Sequence, residues 1–153
     1  MSQYLHNELF EGILSKAEYL SLYDSNSIPK DNVVLIAIHE PDDTIHPPEK
    51  VEGFNDVLQM QFWDIEEAIG RYKPLDEIQA KELRDFIEKN KDKKFLIHCA
   101  AGISRSAGVG CAVECIVNYN SDTYSYKTGH SDIKSHWRYS PNPVVFYKIM
   151  GAK

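Results

Sequence analysis

The chain has 153 residues, 42% of them hydrophobic and 26% charged, which is enough for one domain with a real core and too little for two. Seven Pro and eight Gly exclude collagen-like and low-complexity classes. Seventeen Lys and Arg against 23 Asp and Glu give a formal net charge of −6, which disfavours backbone-driven nucleic-acid binding and docking on anionic lipid. In chain order, Phe10 to Leu14 reads as a short strand. Ser15-Lys16-Ala17-Glu18 is a capping-box pattern that opens a helix through about Leu22. Ser25 to Pro29 is turn chemistry. Asn32 to His39 is apolar on both faces and β-branched, as a central strand covered by helices on each side must be. Pro41, Asp42, Asp43, Pro47 and Pro48 mark a loop, and Val57 to Trp63 reads as another strand.

Pro74 precedes an amphipathic helix from Leu75 to Asn90, with Leu75, Ile78, Leu83, Phe86 and Ile87 at helical spacing. Phe95 to His98 is a short buried strand. Ser104 to Asn118 is small and apolar almost all round, the pattern of a buried helix. Ser121 to Lys153 reads as two helical pieces divided near Ser140-Pro141-Asn142-Pro143. With no internal repeat and no linker, the expectation is one α/β domain over residues 1–153. The longest apolar run, Val33 to Ile38, is far below the roughly 20 residues of a membrane span. The first residues carry neither the basic nor the apolar region of a secretion signal. Three cysteines with no Cys-x-x-Cys pair argue against a disulfide framework or a zinc site. A soluble protein of the reducing cytoplasm is expected.

Chemistry concentrates in Phe95-Leu96-Ile97-His98-Cys99-Ala100-Ala101-Gly102-Ile103-Ser104-Arg105-Ser106-Ala107-Gly108. A buried strand ends at a cysteine, a tight turn follows, and a buried helix starts within that turn. The first turn of a helix offers unpaired N–H groups and the positive end of its dipole, which favour a bound anion. The same field favours the thiolate of Cys99. Arg105 adds a fixed cation whose planar fork matches two phosphate oxygens. Gly102 permits a backbone that turns the N–H groups of the Ala100, Ala101, Gly102, Ile103 and Ser104 stretch inward. A nucleophile and an oxyanion cradle on the same few residues are what phosphoryl transfer through a covalent intermediate requires.

The His98-Cys99-x-Ala101-Gly102-Ile103-Ser104-Arg105-Ser106 stretch resembles the signature loop of the cysteine-based protein tyrosine phosphatases, and in particular that of the dual-specificity branch. Ser140-Pro141-Asn142-Pro143-Val144-Val145-Phe146 is similar to that branch's Pro-Asn-x-x-Phe helix start. The match is tight over about Lys94 to Gly108 and loose over Asp132 to Met150. The resemblance implies an α/β fold with a central mainly parallel sheet flanked by helices, and no cofactor or metal. It also implies a general acid on a separate loop. Asp64, in Gln61-Phe62-Trp63-Asp64-Ile65-Glu66-Glu67, follows a strand and precedes Cys99 at a family-like separation; Glu66, Glu67 and Asp56 are the alternatives. Asp64 also fits a helix N-cap with Glu67 as its capping-box partner. Ser106 is implied as the hydrogen-bond partner of the Cys99 sulfur, and otherwise is a first-turn helix serine. His98 orients the loop rather than carrying protons, because it points away from the pocket on its strand. Asn142 braces the loop or caps a helix.

The remaining features read as structure. Lys89, Lys91, Lys93 and Lys94 form a solvated cluster. Glu40, Asp42 and Asp43 with His39 and His46 lack metal-ligand spacing. Cys111 and Cys115 are core thiols. Tyr124, Tyr126, Trp137 and Tyr139 are packing aromatics. The leading function is hydrolysis of phosphomonoesters on a phosphorylated protein or peptide by a monomer, phosphotyrosine first and phosphoserine or phosphothreonine second. Neutral loop side chains point away from phosphoinositide and RNA 5′-triphosphate substrates, which need more cationic compensation. The alternatives are a catalytically weak phosphopeptide-binding module, a phosphatase for a phosphoinositide, and an arsenate reductase needing resolving cysteines within reach of Cys99.

Overall fold

The computed structural model describes residues 3–41 and 50–152. Asp42, Asp43, His46, Pro47 and Pro48, singled out in the sequence, lie outside the described residues. The elements are β1 (Phe10–Ser15), α1 (Lys16–Asp24), β2 (Val33–His39), β3 (Asp56–Gln61), α2 (Glu77–Lys89), β4 (Lys94–Cys99), α3 (Arg105–Asn118), α4 (Thr123–Thr128), α5 (Asp132–Ser135) and α6 (Pro143–Gly151). The four described strands form one sheet in the order β1-β4-β2-β3, and every pair is parallel.

Period-two alternation sorts the apolar run of β2 onto both faces. Val34, Ile36 and Ile38 join the larger core with residues of α2, α3 and α6, while Val33, Leu35 and Ala37 join a smaller core with Tyr19 of α1. The same alternation on β4 sends Phe95, Ile97 and Cys99 to the larger side and Leu96 to the α1 side. Because all four strands run the same way, their C-terminal ends gather along one edge. In an open parallel sheet that edge is where ligands bind.

Local sequence explains the helix starts. Ser15 caps α1, and the Ser15–Glu18 capping box forms as expected, with Glu18 N–H donating to Ser15 Oγ at 3.1 Å and Ser15 N–H to Glu18 Oε1 at 2.8 Å. A second capping box, Asp76 with Gln79, opens α2 two residues later than expected. Arg84 of α2 donates to the Ile149 and Met150 carbonyls near the C-terminal end of α6, where a cation is favoured.

The C-terminal third departs from expectation, with three helices in place of two. The extra break after α4 is explained by Glu114, a buried carboxylate on α3. It accepts from Tyr126 Oη and Ser131 Oγ, both at 2.6 Å, and from the N–H groups of Asp132 and Ile133 at 3.0 and 3.3 Å. A buried charge must be surrounded by donors, and a continuous helix could not supply these. Tyr126 and Tyr139 pack inside as expected, whereas Tyr124 and Trp137 are 76% and 77% exposed and pack into no core. The lysine cluster is charge-balanced: Lys89 pairs with Asp56, Lys91 with Glu88, Lys93 with Asp92 and Lys94 with Glu11. Cys111 and Cys115 are buried, and burial pushes the Cys111 thiol up to about 12.

Candidate active site

β4 ends at Cys99 and α3 starts at Arg105, so residues 100–104 must turn the chain within five positions. Gly102 makes this possible with φ +69°, a conformation that side chains resist. It also lies directly on β1: a Cβ there would fall 2.3 Å from Ser15 N and 2.4 Å from Leu14 C. Lys16 N–H donates to Ala100 O at 3.3 Å from the same junction. Gly102→Ala is therefore expected to cost about 1–3 kcal/mol, combining φ strain with a backbone clash. A urea midpoint equal to that of the wild type would show that the loop does not rest on β1.

The turn places an amide and a hydroxyl at the sulfur. Cys99 is 2% exposed, and its Sγ lies 3.3 Å from the Gly102 N–H that donates to it and 3.1 Å from Ser106 Oγ, to which it is hydrogen-bonded. Ser104 occupies the N-cap of α3 without a side-chain cap bond. Ala100, Ala101 and Ile103 are exposed along the rim.

Arg105 is buried beside the turn. Its Nη1 donates to Phe62 O at 2.8 Å, its Nη2 pairs with Glu40 Oε1, and its Nε–H is a buried donor with no acceptor among the described residues. Glu40 was not anticipated as part of the site. It follows β2, which pairs directly with β4, so it belongs to the same row of strand ends as Cys99. Position just beyond a central strand was the available signal.

Asp64 reaches the same place from the segment after β3. Its Oδ1 accepts from Ser104 Oγ at 2.9 Å and from Asn142 Nδ2 at 3.0 Å. The helix-cap alternative for Asp64 does not hold, because no helix lies between Phe62 and Asp76; Ile69 and Tyr72 instead form a two-residue antiparallel bridge. Glu66 and Glu67 are exposed on the same segment. Asp56 lies at the far, N-terminal end of β3, bound to Lys89 and Asn90, and is out of reach.

Asn142 fills both roles left open for it. Its Oδ1 caps α6 through Val144 N–H at 3.0 Å and Val145 N–H at 3.4 Å, while Nδ2 holds Asp64. Its own N–H donates to Ser104 O at 3.1 Å, and Ser140 N–H donates to Ile103 O at 3.0 Å. His98 is fully buried, with its ring stacked on Tyr19 at 4.5 Å and edge-on to His39 at 5.6 Å. Strand alternation places it on the α1 side of the sheet, opposite Cys99.

No family model matches the sequence, and no curated protein does. Solved structures do match. DUSP15 is 19% identical over 91% of this chain and 80% of its own, with a TM-score of 0.58. Tk-PTP in its active form is 18% identical over 90% of this chain and 84% of its own, with a TM-score of 0.55. PTPMT1, solved in complex with PI(5)P, is 20% identical over 91% of this chain and 85% of its own, with a TM-score of 0.52. The chain thus has the α/β fold of the protein tyrosine and dual-specificity phosphatases, with a parallel sheet between layers of helices.

Proposed function

We propose that the chain is a phosphatase that hydrolyses phosphomonoesters on protein through a cysteinyl-phosphate intermediate. The observation that carries this reading is the juxtaposition of two groups. One is a sulfur within hydrogen-bond reach of a loop amide and a hydroxyl. The other is a buried arginine at the start of α3, one of whose N–H groups has no acceptor among the described residues. A phosphoryl oxygen supplies that acceptor, and burial makes the unpaired donor costly until it does.

In the first step the Cys99 thiolate attacks phosphorus, the ester P–O bond breaks, and Asp64 gives its proton to the departing oxygen. In the second, water attacks phosphorus and gives its proton to Asp64, and the S–P bond breaks. The sulfur leaves as a thiolate and accepts the Ser106 hydroxyl hydrogen bond. Inorganic phosphate is the product. Both hydrogen bonds to Asp64 fall on Oδ1, so Oδ2 is the oxygen available for proton transfer. Amide N–H groups of residues 100–105 and the Arg105 fork take the charge that develops on the equatorial oxygens.

Substrate class follows from charge. Ala100, Ala101 and Ile103 add no cation, and Glu40 offsets part of Arg105. Such a cradle suits a phosphomonoester dianion better than a polyphosphorylated headgroup or a triphosphate. A thiol nucleophile also has to stay reduced, which fits a reducing compartment.

Asp64→Asn tests the assignment of the acid. On a small aryl phosphate, with chelator present, kcat is expected to fall about 10²–10⁴-fold. The descending, high-pH limb of the rate profile is expected to vanish, because no group then has to remain protonated. A variant that retains that limb places the acid on another residue.

A further inference from the structure

Across the loop from Asp64 lies an ion pair that the mechanism above does not use. Arg138, between α5 and α6, forms a two-pronged bridge to Glu18 of α1: Nη1 donates to Oε2 at 3.0 Å and Nη2 pairs with Oε1. The guanidinium side chain is only 10% exposed. The same Glu18 Oε1 accepts from Ser15 N–H, and Ser15 is the β1 residue opposite Cys99 in the sheet register. The residues following Arg138 also hold this wall. Tyr139 Oη donates to Ile13 O at 2.9 Å, and Ser140 N–H donates to the loop carbonyl of Ile103. Arg138 is therefore tied, through one carboxylate and one backbone amide, to the residue beside the nucleophile.

We propose that Arg138 and Glu18 form a positioning pair for Cys99: the bridge fixes the β1 side of the phosphate loop, and the half-buried guanidinium adds positive potential at the sulfur that Glu18 limits. This rests on the reading of Cys99 as nucleophile. The pairing holds the Glu18 carboxyl down to about 2, first through its hydrogen bond with Arg138. That carboxyl's contribution is fully present above the ordinary carboxylate range and is lost only as pH falls through about 2, so the pair stays charged at any working pH. Arg138 in turn holds its proton more tightly, chiefly because of its hydrogen bond with Glu18. Among the described residues, the other ionisable groups on the elements packed around the loop are Arg105 from α3, Glu40 after β2, Asp64 after β3, Lys16 of α1 and Tyr139 beside Arg138, with His98 on the opposite face of β4. The variants below leave these groups in place.

The test is alkylation of Cys99 by iodoacetamide across pH, followed by mass spectrometry at that residue, with aryl phosphate turnover measured in parallel. Arg138→Gln leaves a bare carboxylate near the loop. It is expected to slow alkylation at slightly acid pH about three- to tenfold and to move the profile upward. Glu18→Gln keeps the Ser15 acceptor but removes the counter-charge, and is expected to move the profile the opposite way by a similar factor. These are effects of one unit charge acting through partly solvated protein. Arg138→Lys restores most of the wild-type profile, and the double variant lies near it. If both single variants shift in the same direction, or neither shifts, the pair acts only as a structural tie and the proposal fails. Wild-type protein that alkylates at Cys99 but turns over no phosphomonoester defeats the phosphatase reading instead, while the direction of the shifts still decides the role of the pair.

Discussion

Cys99→Ser abolishes turnover of an aryl phosphate, a loss on the order of 10⁴-fold or more, while binding of inorganic phosphate survives. The argument depends on what the site offers an oxygen in place of sulfur. The Gly102 N–H and the Ser106 hydroxyl still find a hydrogen-bonding partner, so the loop keeps its shape. A serine hydroxyl, however, keeps its proton at neutral pH, whereas a thiol ionises far more readily. The donors around it stabilise a charge that never forms. Binding has no such requirement, because the loop amides and Arg105 are untouched. If the proposed thiolate nucleophile is right, its removal from beneath the phosphate also lifts a like-charge repulsion, and phosphate affinity is expected to equal or exceed that of the wild type. Calorimetric titration with phosphate and a burst-free rate assay check both halves. Turnover that survives the substitution places the nucleophile elsewhere, as does acid-quenched wild-type protein that carries phosphorus on another side chain.

Arg105→Lys is expected to cost about 10²–10³ in kcat/KM despite conserving charge. The guanidinium binds Phe62 O and pairs with Glu40 at fixed angles, and in the proposed mechanism its Nε–H is kept for the substrate. An ammonium on a flexible stem satisfies Glu40 as a point charge and then has no planar edge to present. Since phosphate would also have to compete with Glu40 for that one group, KM should rise together with the fall in kcat. If the variant matches wild-type kcat/KM, the loop amides alone hold the phosphate and the buried arginine is structural.

The elements were readable where local rules suffice. The Ser15–Glu18 capping box, the two-faced β2 run and the amphipathic α2 are each encoded within a few residues, and each forms close to its expected bounds. The Cys99–Ser106 stretch was readable because strand, turn and helix N-terminus are contiguous. Asp64 and Asn142 came from family resemblance, and their meeting on one hydrogen bond spans 78 positions that no periodicity encodes. Glu40 and Arg105, 65 apart, and Glu18 and Arg138, 120 apart, were invisible for the same reason. Charges that look like solvated surface along the chain become site components only once the sheet order brings the strand ends together. The α4–α5 break was hidden likewise, because its cause is a carboxylate on a different helix.

The double tether on Asp64 has a consequence for changing what the protein acts upon. Ser104 belongs to the phosphate loop, and Asn142 hydrogen-bonds to that loop while starting α6, so the acid is fastened to the same two residues that shape the cradle. On the proposed reading, proton donor and nucleophile therefore form a single mechanical part, and re-aiming one disturbs the other. Retargeting by directed evolution should accordingly leave residues 64, 104 and 142 alone. It should succeed instead along the outer lip at Glu66, Glu67 and Ile69, which border a cleft of about 420 Å³ beside Ser104 and contribute nothing to that fastening.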